Sequence, residues 1–308
     1  MDRGIHGEKI FSALYNEKLP SIDIDRLKIA LQKYDDWIFK LNTVNGSNLD
    51  ELIDKLIQLL NDYKMFIDID LIFDSSEDFL YRQKGQLKLD NTVMEEFLPI
   101  YIKRCLQFSG YDLNGLNIGS QISTYSSMYF RSSLSSPENG GGMSIKVKDQ
   151  DFSMSRTVYI QSSYSSNFEK DNTISLTTHL GYVLAEIKTN LDKTMFQEGS
   201  ATAHDVKQAV TGSKYYLLCD FLDMTPISTS TTDIDEILIT RKGKRISSNI
   251  RSKFNTHKGR QENRSFYVKY LSDHPYSKDV LKRFLGHIMS LLDNETLVES
   301  NVLDVGYF

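Results

Sequence analysis

Apolar residues recur at helical spacing through the first third of the chain. In "DIDRLKIALQKYDDWIFKL" the residues Ile24, Leu27, Leu31, Tyr34 and Ile38 share one face, with Ser21 placed to cap the start. Ser47 or Asn48 can start the next helix, which gathers Leu52, Leu56, Leu59 and Leu60 on one side. "DFLYRQKGQLKLD", Asp78 to Asp90, alternates about Lys84-Gly85 and predicts a short hairpin carrying Arg82, Lys84 and Lys88; a helix from Asn91 to Phe108 follows. The Ser/Gly-rich text from Gly119 to Gly142 predicts a long surface loop.

After that loop the period changes from helical to alternating. "SIKVKDQ", "RTVYIQSSY", "TISLTTHL" and "YVLAEIK" read as strands, a helix spans Asp192 to Val210, and "KYYLLCDFL" from Lys214 reads as a buried strand. This order predicts an α/β or α+β core in which a helical crossover joins the Glu186 strand to the Lys214 strand. The expected organisation is a mainly helical region over 1–118, a loop over 119–142, and a core over 143–308.

The core strand "YVLAEIK" ends in two opposite charges. On a strand Glu186 and Lys188 point to the same face, whereas Asp62-Tyr-Lys64 and Asp205-Val-Lys207, which share the spacing, fall on predicted helices where such residues diverge. If the chain turns near His179 to Gly181, antiparallel pairing brings Glu186 opposite Ile174, and Asp171 within reach. Two carboxylates and an ammonium at one strand end suit Mg²⁺, a hard cation that takes oxygen ligands. Lys188 then orients water and stabilises developing negative charge on a phosphate. A surface Glu-Lys pair on a sheet edge is the competing reading.

Composition narrows the setting. The chain has 308 residues, 40% hydrophobic and 25% charged, as in an ordinary globular protein. Cys105 and Cys219 lie far apart in apolar text with no metal-ligand spacing, which predicts reduced core thiols. No signal-like or membrane-spanning run is visible, so a cytoplasmic protein without membrane attachment is expected. The six histidines show no zinc spacing, and the three glycines before Met143 lack the Lys-Ser/Thr of a phosphate-binding loop.

Charge is unevenly spread. Between Arg241 and Arg264 nine Lys or Arg face one acid, Glu262, in a chain whose net charge is −5. A segment of this kind predicts contact with DNA phosphates through Arg241, Lys242, Lys244, Arg245, Arg251, Lys253, Lys258 and Arg260. A solvated linker is the alternative.

"DNTISLTTHLGYVLAEIKTNLDKTMFQEG" resembles the PD-(D/E)xK nuclease core, with Asp171 as the first acid and Glu186-Ile187-Lys188 as the ExK half. "EIKTNLDKTMFQE" with the upstream "FLYRQKGQLKLDNTVMEEFLP" more narrowly resembles Bpu-type type II restriction endonucleases, which cut interrupted pseudopalindromes with two related subunits. The resemblance implies a restriction-endonuclease-like mixed sheet flanked by helices. It also implies Mg²⁺-dependent hydrolysis of double-stranded DNA within a restriction-modification system, by a homodimer or a heterodimer with a related subunit. Asp171 and Glu186 would ligate the metal, Lys188 would position water, and Gln197 and Glu198 on the next helix would support the metal shell. No Pro precedes Asp171, so Glu169 and Asp151 stand as alternative first acids. A non-catalytic DNA-binding or specificity subunit, and a structure-specific repair nuclease of the same fold, are the rival functions.

Overall fold

The computed structural model describes residues 3–293 together with 303, 304 and 306. Helices α1 (Ile5–Leu14), α2 (Ser21–Thr43) and α3 (Leu49–Met65) open the chain, and α3 runs on into a π-helical stretch, Phe66–Phe73. Amphipathic spacing explains α2, whose buried stripe is Leu27, Ala30, Tyr34, Trp37 and Leu41. At the start of α3 the Asn48 side chain accepts from the Glu51 N–H at 2.9 Å, and Glu51 accepts from the Ser47 N–H at 2.6 Å, a reciprocal cap.

The segment expected as a hairpin is a short helix, α4 (Phe79–Gln83), followed by turns that lead into α5 (Thr92–Phe108). The alternation at Leu87, Lys88 and Leu89 comes from a turn that buries both leucines against the helical core, with Lys88 at φ 53°. The expected loop after Gly119 holds strand β2 (Ile122–Phe130), between β1 (Asn117–Gly119) and β3 (Met143–Gln150). The three glycines form the β2–β3 turn at φ 53°, 70° and 61°, and a Cβ on Gly140 would stand 2.3 Å from the Ser162 carbonyl oxygen.

Next come β4 (Phe152–Ser163), β5 (Thr173–Leu191), α6 (Lys193–Ala209), β6 (Lys214–Leu222) and β7 (Glu236–Lys244). Short helices α7 (Ser248–Arg251) and α8 (His257–Glu262) precede α9 (Arg264–Asp273) and α10 (Lys278–Asp293). The seven strands make one curled mixed sheet in the order β1-β4-β5-β2-β3, with β6 on β5 and β7 on β6. Strands β5, β6 and β7 run parallel, and α6 makes the crossover between β5 and β6.

No turn occurs near His179 to Gly181. β5 is one strand of 19 residues, antiparallel to β4 from Thr173 to Ala185, and Tyr182 bulges out where the pairing shifts between Met154 and Ser155. One face of the sheet, with Val183, Ala185, Ile187, Tyr216 and Leu218, packs on α5 and α10 through Phe97, Tyr101, Phe284 and Ile288. The other face, with Leu184, Tyr215, Leu217 and Cys219, is covered by Phe196, Ala203 and Val206 of α6. Alternation therefore puts Glu186 and Lys188 on the α6 side. Cys105 and Cys219 are free, buried thiols.

Candidate active site

Glu186 and Lys188 converge as their strand spacing predicts: Lys188 Nζ lies 2.8 Å from Glu186 Oε1. The Tyr215 hydroxyl, from the neighbouring strand, donates to Glu186 Oε2 at 3.2 Å. Burial disfavours the Lys188 ammonium, but the Glu186 hydrogen bond and charge, with Asp151 and Glu198, outweigh it and hold its pKa above the ordinary lysine value. Lys188 is thus a cation at neutral pH.

The acid that meets this pair is Asp151, at the bend between β3 and β4. Its Oδ2 accepts from the backbone N–H of Ile187 at 2.8 Å, which fixes the carboxyl beside the ExK stretch of β5. Burial raises its pKa, and the nearby Glu186 charge adds to the rise. Asp171 is elsewhere: it is exposed, in a turn before Thr173 at the start of the same strand, 15 positions before Glu186. At about 3.3 Å per residue the strand from Thr173 to Glu186 is roughly 43 Å long. Because β5 does not fold back at Gly181, Asp171 and its neighbour Glu169 lie together at the far hairpin tip, and Glu169 is exposed there.

A further acid comes from the helical region. Glu95 of α5 is 1% exposed, and its Oε2 has no hydrogen-bond partner. Burial, and then the charge of Asp151, push its pKa up to about 7, while Lys88 and Lys188 oppose the rise. The sequence carried one signal for it: Glu95 occupies the buried stripe of Leu98, Ile102 and Cys105, where a helix otherwise places apolar groups. Tyr215 gave no such signal, since "YYLLC" reads as plain core.

Glu198 faces the site from α6 and its charge reaches Lys188, though its side chain is exposed; Gln197 is exposed beside it. Asp192 caps α6 by accepting from the Met195 N–H at 2.9 Å. Among the described residues no three carboxylate, imidazole or thiol groups stand at metal-ligand spacing, and the Glu186 carboxylate is engaged by Lys188 and Tyr215. The donors nonetheless suit a hard cation: they are carboxylate oxygens, two of them on mutually repelling acids, one buried and unpartnered.

The basic segment is not uniformly available. Arg241 is 5% exposed, stacks 4.1 Å from the Tyr276 ring centre and lies 3.7 and 3.8 Å from Asp68 and Asp220. Arg260 is 1% exposed and donates to the carbonyls of Phe73, Ser75, Glu77 and Phe254 and to Asp78. Both are internal braces, which corrects the expectation that they meet DNA phosphates. Lys242 pairs with Asp279 at 3.1 Å, Arg245 with Asp223 at 2.6 Å and Lys258 with Glu262 at 3.9 Å. Lys244 and Lys253 are exposed, and Arg251 is half-buried.

Among the described residues no helix is long and apolar enough to cross a membrane. No curated protein sequence matches the chain. Among solved structures, one described as the native BbvCI A2B2 tetramer at low resolution has a similar fold, with a TM-score of 0.52 at 17% identity, covering 88% of this chain and 99% of that one. The model of the Bpu10I restriction endonucleases matches residues 86–308, nearly three quarters of the chain, and its span takes in Glu95, Asp151, Glu186 and Lys188. The chain belongs to the Bpu10I restriction endonuclease family.

Proposed function

We propose that the chain is a catalytic subunit of a type II restriction endonuclease of the PD-(D/E)xK kind, hydrolysing phosphodiester bonds at a specific site in double-stranded DNA with Mg²⁺, within a restriction-modification system. The observation that carries this reading is the bond from the Ile187 N–H to Asp151, which ties an acid to the stretch of β5 holding Glu186 and Lys188.

Asp151 and Glu186 would hold Mg²⁺, with Glu95 closing the buried side. Bound there, the ion supplies Lewis acidity and lowers the pKa of a coordinated water. Lys188 Nζ, 2.8 Å from Glu186 Oε1, would orient the attacking water and stabilise charge building on the phosphoryl oxygens. Tyr215, by donating to Glu186 Oε2, limits how far that carboxylate swings. Glu95, with its pKa pushed up to about 7, would be a ligand in its ionised form and holds a proton below neutrality.

Cutting both strands needs two active sites or two events. The fold neighbour is described as an A2B2 tetramer, which supports assembly of this chain with a related subunit. The test is digestion of bacteriophage DNA by the purified protein, alone and with the related subunit, in Mg²⁺ or EDTA, beside Lys188→Ala. Discrete fragments that need Mg²⁺ and Lys188 are expected. DNA left intact in every mixture would make the chain a non-catalytic binding subunit, and cutting only at ends or branches would make it a repair nuclease.

A further inference from the structure

A cleft of about 580 Å³ opens between the helical region and the segment that follows β7. Its floor is Thr189 and Asn190 of β5 with Asp220 and Phe221 of β6, the residues immediately beyond Lys188 and its register partner Cys219. Asn190, two positions after Lys188, points to the same side of the strand. The cleft therefore continues from the candidate active site.

Five cations and three acids line it: Lys64, Arg82, Lys84, Arg245 and Arg251 against Asp68, Asp90 and Asp220. Each acid is already occupied. Asp68 holds Lys64 at 2.5 Å, Asp90 holds Lys84 at 3.0 Å, and Asp220 accepts from Thr240 at 2.9 Å and Tyr276 at 3.0 Å. Arg245 is engaged by Asp223. Two guanidinium groups remain without a carboxylate among the described residues. Arg82 of α4 is exposed, and Arg251 at the end of α7 spends only its Nε, on the Ile246 carbonyl at 2.8 Å. Arg251, from the segment after β7, lines the same cleft as Tyr81 and Arg82 of α4.

Two guanidinium forks from different regions, lining one cleft with surplus positive charge, match an acceptor-only anion. We propose that this cleft holds a backbone phosphodiester of the DNA strand that runs past Lys188, clamped by Arg82 from the helical region and Arg251 from the segment after β7. The proposal rests on the nuclease reading above. It makes the helical region one wall of the DNA groove.

The experiment measures duplex binding by the assembled protein against salt concentration, with Ca²⁺ in place of Mg²⁺ so that the probe stays intact. Arg82→Ala and Arg251→Ala should each weaken binding and reduce the slope of log K against log salt by about 1, and the double variant by about 2, with thermal stability unchanged. Arg82→Lys and Arg251→Lys keep the charge and should restore the slope. Lys28→Ala, on the outer face of α2, should alter nothing. Wild-type slope and affinity in the alanine variants would overturn the clamp, as would failure of the lysine variants to restore the slope in a folded protein. Cleavage by wild type with unchanged binding by the variants sinks the clamp alone; a slope that falls as stated in a protein that never cuts DNA sinks the catalytic reading alone.

Discussion

The Asp151 carboxylate accepts a hydrogen bond from the backbone N–H of Ile187, 2.8 Å away, and so joins the β3–β4 bend to the residue between Glu186 and Lys188. Main-chain tethering of this kind holds an acid within reach of a partner without ordering a long side chain. It also makes the position of Asp151 depend on the register of β4 against β5, fixed by Phe152 opposite Ala185.

Glu95 should make stability depend on pH. Its pKa in the fold is raised to about 7, so the folded chain holds that proton more tightly than the unfolded one. The stabilisation is complete below the unfolded carboxyl pKa and is lost as pH rises through 7. Thermal melting in EDTA should therefore show wild type falling relative to Glu95→Gln between pH 5 and 8. A constant difference across that range would mean that Glu95 ionises normally.

Arg260 should behave as a structural residue. Arg260→Ala strands four carbonyls and Asp78, and the cost of breaking such a buried set is about 3–5 kcal/mol. Lys258→Ala should change stability by less than about 0.5 kcal/mol. Urea unfolding distinguishes them; a fully stable Arg260→Ala protein with weakened DNA binding would restore the sequence-based role.

Lys188 should act on one strand only if the partner subunit carries its own site. Lys188→Ala in a mixed assembly should convert supercoiled plasmid to open circles, while the same substitution in a homodimer should leave it supercoiled. Linear product at the wild-type rate would remove Lys188 from the chemistry, where a loss of at least about 100-fold is expected.

Much of this arrangement is legible in the sequence, and the exceptions have physical causes. The helical period of Ile24, Leu27, Leu31, Tyr34 and Ile38 predicts α2, and strand alternation predicts that Glu186 and Lys188 meet. Gly181 misleads because it reads as a turn. In the fold it serves close packing inside a continuous strand, where a Cβ would lie 2.6 Å from Leu184 and 3.1 Å from Thr124. That one difference moves Asp171 away and leaves Asp151 as the acid beside Glu186. The basic run misleads because charge counts do not distinguish the outward Lys244 from the inward Arg241 and Arg260. Glu95 shows in the sequence only as a lone acid on the apolar stripe of Leu98, Ile102 and Cys105.

The most direct test is single-turnover cleavage of a site-containing duplex by Asp151→Asn and Asp171→Asn, each as the assembled enzyme in saturating Mg²⁺. Asp151→Asn should lose at least about 100-fold in rate on its strand while Asp171→Asn stays within about twofold of wild type. Full activity in Asp151→Asn with loss in Asp171→Asn would contradict the site built around Asp151, Glu186 and Lys188.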